Sequence, residues 1–414
     1  MKFAQSLCVL LAVSLMAVLS ACGGSSSSRS TVPKQPPPPP TGTNYTTCNG
    51  QRVPNWQSNL FISNYQPAIS ALVQTYGSNS NIGYIRIGLG RGGEINLPQG
   101  WNQQQSSNDV CYGGYSGTWG YTVGGSSPSS STWNTYLDTM VTYEGGLHSG
   151  VPLLVSITPI NGANPSIITD DFIAGVAHPL GISFGNQGLE SSDVANYPNC
   201  GGDWCNLFAQ YHPQIAELQT LGQSCPSNTT CANSLAQSTG PLTPLLPFAI
   251  SHGANDLEIY YQDWLIAYDA DYASSVGASS SSAAYAQAIQ AAASAGSTMQ
   301  VLFPPQQGDN TMCGSQTCYA AVQALMTDPS SSPYIAGVVI DVDWSDIEPT
   351  QGQFDFTTIT NPAIQQWLIG NKQVNLVFQN TTYGGNSCPN SGIGSNGNVG
   401  SNCAMPQWMW TVLQ

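Results

Sequence analysis

Eight short segments, rich in β-branched and aromatic residues and mostly separated by stretches of helical spacing, constrain this chain more than any other feature. They run over 82–88, 151–158, 180–189, 214–220, 256–263, 299–303, 335–344 and 374–379. Val151-Pro-Leu-Leu-Val-Ser-Ile-Thr158 is the continuous apolar kind found in buried parallel sheets, and Asp256-Leu-Glu-Ile-Tyr-Tyr-Gln-Asp263 alternates. Between them, apolar residues recur at helical spacing over 59–76, 133–147, 171–177, 242–251, 283–295, 319–326 and 362–369. Strands that alternate with helices predict an α/β fold with a parallel sheet, and eight such units favour a closed (β/α)8 TIM barrel over an open sheet.

The N-terminal stretch is set apart from that pattern. Lys2 precedes an apolar run over 7–19 and then small residues, which predicts a secretory signal and not a membrane span. Leu19-Ser-Ala-Cys22 resembles the lipobox of bacterial lipoproteins. That resemblance implies cleavage after residue 21, a lipid on Cys22, and residence in the bacterial cell envelope facing periplasm or exterior. Residues 22–43, with serine and proline runs, predict a tether, and residues 44–414 the barrel.

A net charge of −15 with only four basic residues after position 43 (Arg52, Arg86, Arg91 and Lys372) argues against nucleic acid or an anionic membrane surface as partner. Membrane contact is expected only through the lipid, and a monomer is expected. Of the 12 cysteines, Cys8 lies in the signal and Cys22 at the lipid site, leaving an even set for an oxidising compartment. Disulfide-stapled loops follow, with neighbours suggesting Cys200–Cys205, Cys225–Cys231, Cys313–Cys318, Cys388–Cys403 and Cys48–Cys111, although spacing alone does not fix connectivity. There is no CxxC, and His148, His178, His212 and His252 show no ligand spacing, so no metal is expected.

Asn81-Ile-Gly-Tyr-Ile-Arg86-Ile-Gly-Leu-Gly-Arg91-Gly-Gly-Glu94 ends a strand in a glycine-rich turn that carries two cations and a carboxylate. Gly88-Leu-Gly-Arg-Gly-Gly93 satisfies the GxGxxG pattern, but Leu97-Pro98-Gln-Gly100 breaks the helix that a dinucleotide would need. No cofactor is therefore expected. The chain has six glutamates, so each is weighed singly. Glu144 falls on a predicted helix and is expected to be exposed. Glu190 falls in a loop, and Glu348 in a structural turn. Glu258 alternates with Tyr260 to one face of its strand, toward the barrel interior.

Trp344-Ser-Asp-Ile-Glu348-Pro-Thr-Gln-Gly352-Gln-Phe354-Asp-Phe356 resembles the Trp, Glu-Pro, Gly, Phe-Asp-Phe signature of retaining barrel glycoside hydrolases of the β-galactosidase-like clan. Asn380-Thr-Thr-Tyr-Gly-Gly and Pro406-Gln-Trp408 are similar to the next strand-end loop of those enzymes. In that clan the signature precedes the acid/base strand, whereas here it stands near the C-terminus, so the resemblance implies a circular permutation. In the restored order Glu94 follows strand four and Glu217 lies on strand seven, the acid/base and nucleophile positions. The clan has Asn before its acid/base glutamate, where this chain has Gly93.

The resemblance thus implies hydrolysis of glycosidic bonds in an extracellular poly- or oligosaccharide. Such chemistry needs two carboxylates, one protonating the leaving oxygen and one attacking the anomeric carbon. Arg91 or Arg86 would keep one of them ionised. Candidate substrate-binding residues are Arg91, Asn186, Gln187, Glu258, Tyr260, Asp343, Trp344, Asn380 and Trp408, and Glu258 is the rival nucleophile. The alternative is a carbohydrate- or solute-binding surface lipoprotein without catalysis.

Overall fold

The computed structural model describes residues 45–48, 51–54, 56–90, 93–95, 132–157, 173–196, 204–220, 241–380 and 404–413. All eight expected strands are present: β1 (Ile82–Ile87), β2 (Leu153–Ser156), β3 (Ser183–Leu189), β4 (Ala216–Thr220), β5 (Asp256–Tyr260), β6 (Thr298–Leu302), β7 (Gly337–Asp343) and β8 (Gln373–Gln379). Every pairing is parallel, and the ring closes in chain order. The last strand meets the first through Val374↔Ile82, Leu376↔Ile85 and Phe378↔Ile87, with a register shift after Val374. This is the expected pairing of 374–379 with 82–88. Closure of any eight-stranded ring requires it, whatever the order of strands in a resembled family.

The helices between strands follow from their sequences. Helix α1 (Asn59–Tyr76) starts at Ser58, whose hydroxyl accepts from the Phe61 N–H at 3.1 Å, and buries Phe61, Ile62, Tyr65, Ile69, Leu72 and Val73. Helix α2 (Thr132–Gly145) precedes β2. Further helices cover Leu242–Ser251, Tyr261–Tyr268, Ser282–Ser294 and Cys318–Thr327. The expected strand over 256–263 stops at Tyr260, and Tyr261 opens a helix at once.

Strand alternation sorts two environments. Ile85, Ile87, Val155, Phe184, Leu218, Leu257, Ile259, Met299, Val301, Leu376 and Phe378 face the helices in one large apolar core. Inside the barrel the apolar set is small: Tyr84, Leu154, Leu302, Val339 and Val377. The remaining inward positions are polar. A barrel interior is ordinarily filled by branched aliphatic side chains, so this departure marks where function is to be sought.

The Cys313–Cys318 disulfide forms as expected, bridging a short hairpin (Met312–Cys313 with Gln316–Thr317) ahead of the 318–327 helix. The other expected pairings, the signal, Cys22 and the tether lie outside the described residues. Among the described residues no helix is long and apolar enough to cross a membrane.

Candidate active site

Alternation along β1 turns Tyr84 and Arg86 into the barrel. Arg86 is buried, and its Nη1 lies 3.2 Å from Glu258 Oε2 and 3.4 Å from Glu217 Oε2. Its Nη2 donates to Gln219 Oε1 at 3.1 Å. Tyr84 donates its hydroxyl to Glu258 Oε1. On the other side Gln187 Nε2 donates to Glu217 Oε2, and Ser156 Oγ donates to Gln187 Oε1. Ser156, Gln187, Glu217, Arg86, Glu258 and Tyr84 thus form one hydrogen-bonded chain across β2, β3, β4, β1 and β5.

The two glutamates are held differently. Both oxygens of Glu258 are engaged, by Tyr84 and by Arg86. Among the described residues Glu217 is engaged only through Oε2, and its buried Oε1 has no hydrogen-bond partner. The space for this carboxyl comes from Gly185, the register neighbour of Glu217 on β3. A Cβ at Gly185 would stand 2.6 Å from Glu217 Cβ and 2.7 Å from its Cδ.

One cation serves two buried carboxylates here. Burial works against the charge on Arg86, but Glu258 and Glu217 outweigh it and hold the guanidinium protonated. Burial raises the Glu217 carboxyl well above the usual range, Glu258 raises it further, and Arg86 and Gln187 pull the other way. A buried ion cluster of this kind costs desolvation energy that its internal contacts only partly offset. Such clusters occur at active sites and also as structural ion networks.

Toward the C-terminal ends of the strands, where barrel enzymes carry their sites, Glu94 sits in a tight turn beyond β1. The Gly90 N–H donates to the Glu94 carbonyl at 2.6 Å, and the Gly88 N–H donates to the Phe378 carbonyl at 2.7 Å. Gly93 has φ +75°, and a Cβ there would collide with Val377 Cγ1. Glycine instead of Asn at position 93 is therefore required by the close approach of this turn to β8. Glu94 is buried, and its charge acts on both Arg86 and Tyr260.

Tyr260, at the end of β5, is half-buried, and its ring lies edge-on to Phe303 with centroids 6.4 Å apart. Phe303 itself has φ +45°, a strained backbone for an aromatic residue, at the end of β6. Asp341 on β7 is partly exposed, and burial pushes its carboxyl up to about 7, with Arg86 lowering and Glu258 raising it. Asp343, two residues on, is buried and accepts from Gln379 Nε2 at 2.8 Å.

The expected site residues divide on this geometry. Glu217, Gln187 and Glu258 meet around Arg86, and Glu94 and Tyr260 stand above them. Asn186 points away from them by alternation and folds back on Gly188, whose N–H it accepts at 2.9 Å. Trp344, expected to face a sugar, is instead fully buried in the core against Phe61, Tyr65 and Trp408. Its indole N–H donates to Glu348 Oε2 at 2.7 Å, and the Trp408 indole donates to the Glu348 carbonyl at 2.9 Å.

Glu348 is the structural residue expected: its Oε1 also accepts the Gly352 N–H at 2.7 Å. Asn380 clamps two strand ends, accepting from Trp56 Nε1 at 2.9 Å and donating to the Gly88 carbonyl at 2.9 Å. Arg91 lies outside the described residues, and the cation that meets the carboxylates is Arg86. Glu144 is not exposed: it is fully buried, among the described residues neither of its carboxyl oxygens has a hydrogen-bond partner, and burial raises its pKa well above the usual range.

Ser156, Gln219, Tyr84 and Phe303 were not anticipated. Period-two counting from Arg86, Glu217 and Leu154 puts the first three inside the barrel, a signal hidden when 151–158 is read as one apolar run.

Among the described residues no group of three or more His, Cys, Asp or Glu side chains is placed to hold a metal ion. No protein-family model matches the chain, and no curated protein matches it significantly in sequence.

Proposed function

We propose that this chain is a retaining glycoside hydrolase acting on an extracellular poly- or oligosaccharide, with Glu217 as nucleophile and Glu94 as acid/base. The observation that carries this reading is the asymmetric holding of Glu217. One carboxyl oxygen is fixed by Arg86 and Gln187, and the other has no hydrogen-bond partner among the described residues. A nucleophile needs that arrangement, because donors on one oxygen orient the group while the other keeps its lone pairs. The full engagement of Glu258 argues against its serving as nucleophile.

In the proposed reaction Glu94 protonates the departing glycosidic oxygen as Glu217 Oε1 bonds to the anomeric carbon. The glycosyl ester then breaks when Glu94 takes a proton from the attacking water. Burial and Glu258 favour the protonated form of Glu217, so attack requires the ionised form that Arg86 and Gln187 favour, and Arg86 offsets the charge again as the carboxylate leaves. Tyr260 and Phe303 supply an apolar wall, and Asp341 an acceptor for a sugar hydroxyl. The lipobox-like Cys22, the circular permutation, the envelope location and the monomeric state belong to the same proposal and rest on sequence alone.

A second reading has its own support: Glu217 and Glu258 are both fully buried and share one guanidinium, as a purely structural ion cluster would. On that reading the protein binds carbohydrate without cleaving it. The test is a screen of the purified full-length protein against plant and microbial polysaccharides, reading reducing ends and, in parallel, binding. Release of sugar that Glu217→Gln abolishes supports the hydrolase. Binding without release, in wild type and variant alike, supports the second reading.

A further inference from the structure

The opposite, N-terminal end of the barrel holds a cavity of about 240 Å³ lined by Tyr84, Asp256, Gln300, Gln373 and Asn375, with Asn255 and Thr298 also contributing to its wall. Its walls are backed by glycines: Gly83 lies against Asn375 Oδ1 and, at 3.1 Å from a built Cβ, Gln373 Oε1, and Gly337 lies 3.0 Å in the same sense from Gln300 Oε1. Among the described residues two acceptors in this wall have no hydrogen-bond partner, Asp256 Oδ1 and Gln300 Oε1, although both residues are more than nine-tenths buried. Gln300 Nε2 reaches Asp256 Oδ2 at 3.4 Å, which ties the carboxylate to the amide, and the two remaining oxygens are buried in the same wall. Buried acceptors without partners cost about 1–3 kcal/mol each, so a cluster of them calls for an occupant.

Charge narrows the choice of occupant. Arg86 is the only basic side chain in the described interior, and it already serves Glu217 and Glu258. Among the described residues no ion pair reaches Asp256. A carboxylate that shares this cavity with amide oxygens of Gln300, Gln373 and Asn375, the last of which also accepts the Tyr84 N–H at 3.1 Å, is a hard-oxygen donor set of the type that holds Na⁺, K⁺ or Ca²⁺. Mg²⁺ is disfavoured, since it gives up water reluctantly and demands near-ideal octahedral ligands. The volume leaves room for several waters at about 30 Å³ each, so a partly hydrated ion fits, and Asn375 Nδ2, also unpartnered, can donate to one of those waters.

The geometry points to a hard-cation site at the N-terminal end of the barrel, formed by Asp256, Gln300 and Asn375, that neutralises the acidic interior from the side opposite the candidate active site. Neutral amide oxygens carry no ligand-spacing signature, which is why the sequence alone predicts no metal. The site is independent of the hydrolase reading, and its test needs no activity.

Thermal unfolding of the full-length protein would be followed in NaCl, KCl, CaCl2 and MgCl2 against choline chloride at matched ionic strength. A saturable rise of about 3 °C with Na⁺, K⁺ or Ca²⁺ is expected, lost in both Asp256→Asn and Gln300→Met. The ion that gives the rise separates monovalent from divalent occupancy. Equal melting in all salts, or a rise that both variants retain, overturns the proposal. Should the variants fail to fold, wild-type crystals grown with RbCl or CaCl2 decide it. An anomalous peak between Asp256 and Gln300 supports the site, and none at either salt overturns it.

Discussion

Replacing Gly185 by Ala probes the Glu217 pocket without touching a charged group. The new methyl would stand 2.6 and 2.7 Å from Glu217 Cβ and Cδ, closer than any real Cβ contact, so something there, the Glu217 side chain first, has to shift. Overpacking of this kind costs about 1–3 kcal/mol. An unfolding entropy of about 2.1 cal/mol/K per residue over the roughly 260 described residues amounts to about 0.55 kcal/mol/K, so the melting temperature should fall by about 2–5 °C. Displacing the carboxyl by about an ångström should also lower turnover by about a hundredfold. Scanning calorimetry and initial rates on the substrate found in the screen measure the two effects. Gly188→Ala, on the same strand but with its nearest neighbour 3.4 Å from the built Cβ, is the control and should change neither. Wild-type melting and turnover in Gly185→Ala would refute the pocket geometry.

Two further outcomes follow from buried carboxyls. Asp341 is raised from an unfolded value of about 3.9 to about 7, so the folded state binds more protons between those pH values and stability falls as pH rises through that window. Asp341→Asn should flatten that part of the pH–stability curve, read by urea unfolding, and an unchanged slope would show that Asp341 does not titrate there. Glu144→Met should stabilise the protein by about 1–3 kcal/mol, more at pH 8 than at pH 4, because the wild-type carboxyl is buried without partners; a destabilised variant at both pH values would mean that Glu144 is paired.

The fold was legible because strand and helix periods differ and parallel strands announce themselves as apolar runs. Strand ends were less so. In 256–263 the aromatic pair Tyr260-Tyr261 continues the apolar pattern across the point where β5 stops and a helix starts. Glu144 shows residue type misleading where spacing was right: Leu137, Met140, Val141 and Glu144 share the buried face of α2, and the charge alone suggested solvent. The resemblance of their motifs suggests that Trp344 and Asn380 face a ligand, yet in this chain they tie the β7 and β8 ends to Tyr65, Trp56 and Gly88. The Glu217 cluster was legible only in part, since Arg86, Gln187 and Ser156 come from three strands far apart in sequence and meet only when the ring closes.

The central claim is that Glu217 forms the covalent glycosyl intermediate. The most direct test incubates the protein with a 2-deoxy-2-fluoro glycoside, bearing an activated leaving group, of the sugar released in the screen, then locates the adduct by peptide mass spectrometry. Fluorine at C2 destabilises the oxocarbenium-like transition state of both steps, and the activated leaving group lets formation outrun breakdown. The account predicts a stoichiometric adduct on Glu217 in the wild type and none in Glu217→Gln. An adduct on Glu258 or Glu94, or turnover with inverted stereochemistry and no adduct, would contradict it.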